Sequence, residues 1–317
     1  MRLIILTLNL LIVFYVNAGC ELPSHLKAHA DTLPRAIQKD HKKVSEFLVK
    51  PCKNEAEKVQ IFSYWIAKNI RYDLKHMKQI NRNKIAREVL YYRSAVCGGF
   101  SNLLKQFCDN ENVLCYTVQG IGRGNFFQRY FTKLKCRHAW NVAYVDGEWK
   151  CLDVTWLGPE LKSPEFKKDL QMKWIFEDPV EFSKSHLPYD PRWQLIKDPN
   201  TKKEFWRNKD IEERNYNWRD SIATMITSDQ VEAKLITLKG AFIENNDAEA
   251  YMNGIINVGW RLVGGTYDSL ETIRAIEVFQ IAQNKYTELK PYKSDNKHLS
   301  QIKLGQHLCR KRLEMKE

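Results

Sequence analysis

Three residues of this 317-residue chain have types and spacings that suit nucleophilic chemistry: Cys97, His138 and Asp153. Cys97 lies in Ser94-Ala95-Val96-Cys97-Gly98-Gly99-Phe100-Ser101, where irregular chain runs into an apolar helical stripe. A thiol in the first turn of a helix meets the positive end of the dipole, which favours the thiolate. Gly98 and Gly99 place no side chain in the way of a peptide-like substrate. The N–H groups of that turn have no partner inside the helix and can stabilise an oxyanion. His138 and Asp153 sit in two strand-like runs, 138 to 145 (HAWNVAYV) and 148 to 156 (EWKCLDVTW), joined by Asp146-Gly147. Asp-Gly between such runs marks a two-residue hairpin. That turn sets Val145 opposite Glu148, Val142 opposite Cys151, Trp140 opposite Asp153 and His138 opposite Thr155. Alternation with period two then puts His138, Trp140 and Asp153 on one face, with His138 and Asp153 as diagonal neighbours. An imidazole beside a carboxylate is the base and orienting half of a triad, and the order Cys, His, Asp suits a papain-like arrangement. A cysteine ahead of a helix is more often core or half a disulfide, and a cross-strand His-Asp pair is more often structural. The catalytic reading rests on all of these features occurring together.

The elements that must position these residues are legible as patterns. Residues 55 to 71 carry Val59, Phe62, Ile66 and Ile70 at spacings of three and four, an amphipathic helix. Residues 97 to 108 form a second helix with Phe100, Leu103, Leu104 and Phe107 as its buried stripe. Residues 113 to 121 and 137 to 156 are rich in β-branched and aromatic residues and read as strands. Residues 21 to 52 read as an irregular lead-in with a short helix, and 158 to 210, rich in Pro, Asp, Lys and Trp, as long loops over a core. From about 218 the pattern is helical again, with Leu270, Ile273, Ile276, Phe279 and Ile281 at near-helical spacing. The absence of a long Gly/Ser linker predicts that this region packs on the rest.

The ordered motifs resemble the transglutaminase-like superfamily core, in particular its kyphoscoliosis-peptidase-like branch. The matching pieces begin with Glu57-Lys58, Trp65-Ile66, Asn69-Ile70-Arg71-Tyr72-Asp73 and Ala95-Val96-Cys97-Gly98-Gly99-Phe100. They continue with His138-Ala139-Trp140-Asn141-Val142, Gly147-Glu148-Trp149 and Asp153-Val154-Thr155-Trp156. Asp178-Pro179, His186-Leu187-Pro188 and Trp193-Gln194-Leu195 resemble the tail of that branch. The resemblance covers about residues 40 to 197 and implies a Cys-His-Asp triad at Cys97, His138 and Asp153. It implies an α+β fold in which a helix carrying the cysteine packs on an antiparallel sheet carrying His and Asp, followed by a C-terminal helical region. The expected organisation is a signal peptide over 1–19, a lead-in over 20–54, the transglutaminase-like core over 55–197 and a mostly helical region over 198–317. The superfamily includes proteases, cross-linkers, deglycosylating amidases and inactive binding modules. Hydrolysis of a peptide or protein amide ranks first, because water is the default acyl acceptor unless a site excludes it. In a binding module Trp156, Trp174, Trp193 and Trp206 would be contact residues, although tryptophans are more commonly core.

Charge and cysteine usage bound the setting. Lys and Arg outnumber Asp and Glu by 50 to 38, a net +12, but in small pairs such as Lys42-Lys43 and Lys202-Lys203. No zinc-finger spacing, RNA-binding aromatic motif or phosphate-binding glycine loop accompanies them, so a solvated basic surface is expected and nucleic acid is not. No calcium-loop pattern is present, and no cofactor or metal is expected. Arg2, the apolar run 3 to 16 and the small pair Ala18-Gly19 have the layout of a secretory signal peptide. Val16-Asn17-Ala18 fits cleavage to a secreted protein, and Asn17-Ala18-Gly19-Cys20 resembles a lipoprotein box that would anchor the chain through Cys20. Either route predicts an exported protein, secreted, periplasmic or held at the envelope, where disulfides are permitted among its eight cysteines. The register argues against Cys136–Cys151, and Cys108 with Cys115 could close a small loop.

Overall fold

The computed structural model describes residues 22–73, 75, 85–123, 137–158, 170–207, 213–245, 248–264, 269–289 and 297–315. The expected leader over 1–19, the lipid-anchor candidate Cys20 and Cys136 lie outside the described residues. The chain opens with three helices, α1 (Ser24–Asp31), α2 (His41–Leu48) and α3 (Glu55–Asn69). A two-residue strand β1 (Arg71–Tyr72) follows, then α4 (Ala86–Tyr92), β2 (Ser94–Ala95) and α5 (Cys97–Asn110). Asn54 starts α3 by accepting the Glu57 N–H, and Asp40 starts α2 by accepting from Lys42 and Lys43. The described part of this lead-in, residues 22–54, is thus more regular than its sequence suggested. Leu22, Leu26, Val44 and Leu48 pack in one cluster with Phe62 and Trp65 of α3 and with Leu103 and Phe107 of α5.

The strands β3 (Cys115–Gly122), β4 (Arg137–Val145) and β5 (Glu148–Leu152) form the middle of a five-stranded antiparallel sheet. Asp146 and Gly147 both take positive φ, 52° and 81°, as the tight turn between β4 and β5 requires. Val145 pairs with Glu148 and Val142 with Cys151, as the turn predicted, but the ladder ends at Asn141 opposite Leu152. The expected pairs Trp140–Asp153 and His138–Thr155 do not form. Asp153 instead accepts the N–H groups of Thr155 and Trp156 and caps a helical turn, α6 (Val154–Leu157), while its own N–H donates to the Trp174 carbonyl. Capping by a short carboxylate outcompetes the strand tendency of Val154, Thr155 and Trp156.

The stretch read as loops completes the sheet. It contains β6 (Ile175–Glu177), α7 (Pro179–Ser183), β7 (His186–Pro188) and α8 (Lys202–Arg207), with 3₁₀ turns at Met172–Trp174 and Pro191–Gln194. The strand order is β6-β5-β4-β3-β7, so both edges come from this region. Ala143 and Val145 of β4 join the core beneath α3 and α5, whereas Trp140 and Val142, of opposite parity, join Phe182, Trp193 and Trp218 on the other side.

Five helices follow: α9 (Trp218–Thr227), α10 (Gln230–Asn245), α11 (Ala248–Gly264), α12 (Ser269–Glu288) and α13 (Lys297–Glu314). Ile222 and Met225 of α9 belong to the cluster with Trp140 and Trp193, while α11 to α13 share a core of their own around Ile255, Phe279 and Ile302. The apolar stripe expected on α12 is displaced. Leu270, Ile273 and Ile281 are exposed, and Thr272, Ala275, Val278, Phe279 and Ala282 face inward. Small residues let the helices approach closely: a Cβ added at Gly259 or Gly305 would fall 2.8 or 2.3 Å from the Phe279 ring.

Candidate active site

Cys97 is the first residue of α5 and is half-buried. Two devices hold it there. The parallel pair β1–β2 sets Tyr72 beside Ala95, two residues before the thiol. At the other end of the first turn, buried Asn141 of β4 donates from Nδ2 to the Ser101 carbonyl at 3.0 Å, tying the cysteine-bearing helix to the histidine-bearing strand. Among the described residues, a Cβ built on Gly98 meets nothing within 4 Å. Packing therefore does not demand glycine at 98; its smallness leaves room beside the sulfur.

His138 is the second residue of β4 and is buried, as is Asp153. His138 Nε2 lies 2.6 Å from Asp153 Oδ2, a charge-assisted hydrogen bond in a dry setting. The strand register does not make this contact by itself. The cap that ends β5 turns the carboxylate so that Oδ1 takes the Thr155 and Trp156 N–H groups, at 2.8 and 3.2 Å, and Oδ2 faces the imidazole. Trp156 lies over the His138 ring, centroids 5.1 Å apart at 20°. Burial alone would push His138 down, but Asp153, with the Cys97 thiol as a further hydrogen-bonding neighbour, raises it to about 10. Burial likewise works against the Asp153 carboxylate, and His138 and then His186 overcome it, holding Asp153 well below the usual carboxylate range. The three residues singled out in the sequence thus converge at the N-terminus of α5.

Two neighbours carried no predicted role. Tyr72 is hydrogen-bonded to the Cys97 backbone, and burial, with the Cys97 and Asp153 charges, pushes its phenol up. His186 Nε2 lies 3.1 Å from the same Asp153 Oδ2. Both stand in the motifs that carried the family resemblance, but their partners are distant in sequence and no local pattern marks them. His138, Asp153 and His186 also have potential metal-ligand atoms within 4.8 Å of one another. Two ligands about 2.0–2.1 Å from one tetrahedral ion stand roughly 3.3 Å apart. The 2.6 Å contact is a hydrogen-bond separation instead.

The six described cysteines, Cys52, Cys97, Cys108, Cys115, Cys151 and Cys309, are all thiols. Cys108 and Cys115, which the sequence allowed as a small disulfide loop, are buried thiols that hydrogen-bond to each other. Of the tryptophans considered as contact residues, Trp193 is core, Trp156 and Trp174 pack edge to face beside the site, and Trp206 is exposed.

Residues 42–154, which contain all three, match the model of the transglutaminase-like superfamily. That segment is similar to a transglutaminase-like core. It is 27% identical over 176 residues to human kyphoscoliosis peptidase, a match covering 54% of this chain and 26% of that protein. The mouse kyphoscoliosis peptidase is 26% identical over 163 residues, covering 50% and 24%. Hillarin of Drosophila melanogaster is 24% identical over 186 residues, covering 53% and 22%. The chain thus spans about a quarter of the length of the curated relatives it matches.

Proposed function

We propose that this protein is a cysteine enzyme that hydrolyses peptide or protein amide bonds through a thioester on Cys97. The observation that carries the reading is the buried His138–Asp153 pair, 2.6 Å apart, with the Cys97 thiol as the other neighbour of the imidazole. His138 takes the thiol proton, or already holds it in a thiolate–imidazolium pair, and the sulfur attacks the amide carbonyl carbon. The oxyanion forms beside the first turn of α5, at the positive end of the helix dipole. Collapse breaks the C–N bond, and His138 returns the proton to the leaving amine. Water, deprotonated by His138, then attacks the thioester and releases a carboxylic acid and the thiol. Asp153 keeps the imidazole oriented and balances its charge. The opening at Gly98 supplies the room for an extended acyl chain beside the sulfur.

The test is mass spectrometry of a glutamine- and lysine-containing peptide mixture after incubation with wild type and with Cys97→Ala. Cleaved backbones or one-dalton deamidation shifts, present with wild type and lost in the variant, are the expected result. Lysine–glutamine cross-linked pairs would make the acyl acceptor an amine instead. No product above the Cys97→Ala background would overturn the catalytic reading in favour of a binding module with a transglutaminase-like core.

A further inference from the structure

Asp153 accepts more hydrogen bonds than the orientation of one imidazole needs. Its Oδ1 is saturated by the Thr155 and Trp156 N–H groups, and Oδ2 is shared by two histidines, His138 at 2.6 Å and His186 at 3.1 Å. His186 opens the edge strand β7, opposite Gly122 of β3, and is buried. Its ring stacks on Phe182, centroids 3.9 Å apart at 12°, and is walled by Trp156, Trp140 and Trp174 at 4.3, 5.0 and 5.5 Å. Ser185 Oγ lies 2.9 Å from Nδ1.

These contacts assign the tautomer. An ionised carboxylate only accepts, so the His186 nitrogen facing Asp153 carries hydrogen, and in the neutral ring Nδ1 does not; the Ser185 hydroxyl beside it lies within reach of both Nδ1, at 2.9 Å, and the Phe182 carbonyl, at 3.3 Å. The charged groups acting on His186 are Asp153 and His138; the Phe182 backbone adds a hydrogen bond, and aromatic rings wall the ring. Burial pushes His186 down to about 4, so the ring is neutral through the neutral pH range. An aromatic box needs only a flat apolar ring at this position. A histidine held with one nitrogen on a carboxylate and the other on a hydroxyl does something a phenylalanine cannot.

We propose that His186 is a positioning residue for the triad: its Nε2–H fixes the Asp153 carboxylate in the orientation that meets His138 and keeps that carboxylate ionised. The inference rests on the catalytic reading of Cys97, His138 and Asp153. Removing the donor leaves Asp153 with one hydrogen bond fewer, so it takes up a proton at higher pH and stops holding the imidazolium sooner on acidification.

Iodoacetamide labelling of Cys97 tests this without a substrate. The rate at Cys97, read by peptide mass spectrometry from pH 3 to 10, is compared in the full chain for wild type, His138→Ala, His186→Phe, His186→Gln and Ser185→Ala. His138→Ala slows labelling about tenfold at neutral pH if His138 activates the thiol; a rate insensitive to His138 overturns the catalytic reading itself. Given that dependence, His186→Phe moves the acid limb up by about one pH unit and lowers the plateau several-fold, and His186→Gln, which keeps an N–H donor, restores most of both. An unmoved limb in folded His186→Phe, or equal losses in the Phe and Gln variants, would reduce His186 to a packing role. If circular dichroism shows that His186→Phe does not fold, Ser185→Ala decides. It removes the hydroxyl beside Nδ1, with that hydroxyl's bond to the Phe182 carbonyl, and leaves the His186 ring in place; its limb moves the same way by a smaller amount, and no movement overturns the proposal.

Discussion

His138 and His186 share one carboxylate oxygen yet titrate in opposite directions. Burial disfavours the charged form of both. For His138, the shorter contact to Asp153 and the Cys97 thiol outweigh that cost and raise it from 6.5 to about 10. For His186, the longer contact does not, and the positive charge on His138 adds to the burial, lowering it from 6.5 to about 4. The linkage therefore has two signs. The raised His138 contributes stability that is complete below about pH 6.5 and is lost as pH climbs through 10. The lowered His186 contributes stability that is complete above about pH 6.5 and is lost as pH falls through 4. The site is most stable near pH 6.5, with each flank falling by on the order of 3–5 kcal/mol. Urea midpoints from pH 4 to 10 should show His138→Ala flattening the alkaline flank and His186→Gln flattening the acid flank relative to wild type. Identical pH profiles in all three proteins would mean that neither imidazole changes its proton affinity on folding.

At the scale of elements, the site depends on holding the start of α5 against β4. Asn141 performs that task from a buried position, donating to the Ser101 carbonyl at 3.0 Å and towards the Tyr116 carbonyl at 3.4 Å. Asn141→Ala removes these bonds where water cannot replace them and should cost about 1–3 kcal/mol in chemical denaturation. Cys97 labelling should fall further than the loss of folded protein explains; labelling that tracks the folded fraction would leave Asn141 a stability residue only. Local patterns made the participating elements legible in advance. The stripe Phe100, Leu103, Leu104 and Phe107 is buried on α5, and Asp146-Gly147 sets the first five pairs of the hairpin. Legibility ended where competition between local preferences decides. Val154, Thr155 and Trp156 have the composition of a strand, but the Asp153 side chain ends the ladder by capping a turn. The edge strands β6 and β7 have three residues each, too few for any alternation to register. On α12 large apolar residues were the wrong guide, because contact with α11 and α13 is made through alanines and across from glycines around Phe279. His186 meets Asp153 only after 33 residues and a strand pairing, which no window of sequence contains.

At the scale of the whole molecule, a buried charged pair helps join the core to the C-terminal helices. The core of α11 to α13 is separate from that beneath the sheet, so the C-terminal helices need a connection of their own. Hydrophobic contact provides part of it, through Trp218, Ile222 and Met225 of α9 against Trp140 and Trp193. Buried Arg192 adds a polar connection. It binds Asp190 at 2.9 Å and donates to the Ser221 carbonyl of α9 and the Ile236 carbonyl of α10, each at 3.2 Å. Gly240 of α10 lets that helix come close; a Cβ there would fall 2.9 Å from the Asp190 carboxylate. Burial pushes Asp190 up and Arg192 opposes the shift, so the pair is balanced only while both are present. Removing one partner of a buried pair costs about 3–5 kcal/mol, chiefly because the other charge is stranded. Arg192→Met should therefore lose stability in that range. Adding Asp190→Asn, which keeps an oxygen to accept the Arg192 position's N–H, should recover a large share. Hydrogen exchange separates a local from a global effect. Amides of α10 and its neighbours should exchange faster in Arg192→Met while those of β3 and β4 keep wild-type protection. Uniform acceleration through the sheet would mean instead that core and C-terminal helices unfold as one unit, with Arg192 contributing to a single cooperative structure and not to a joint between two.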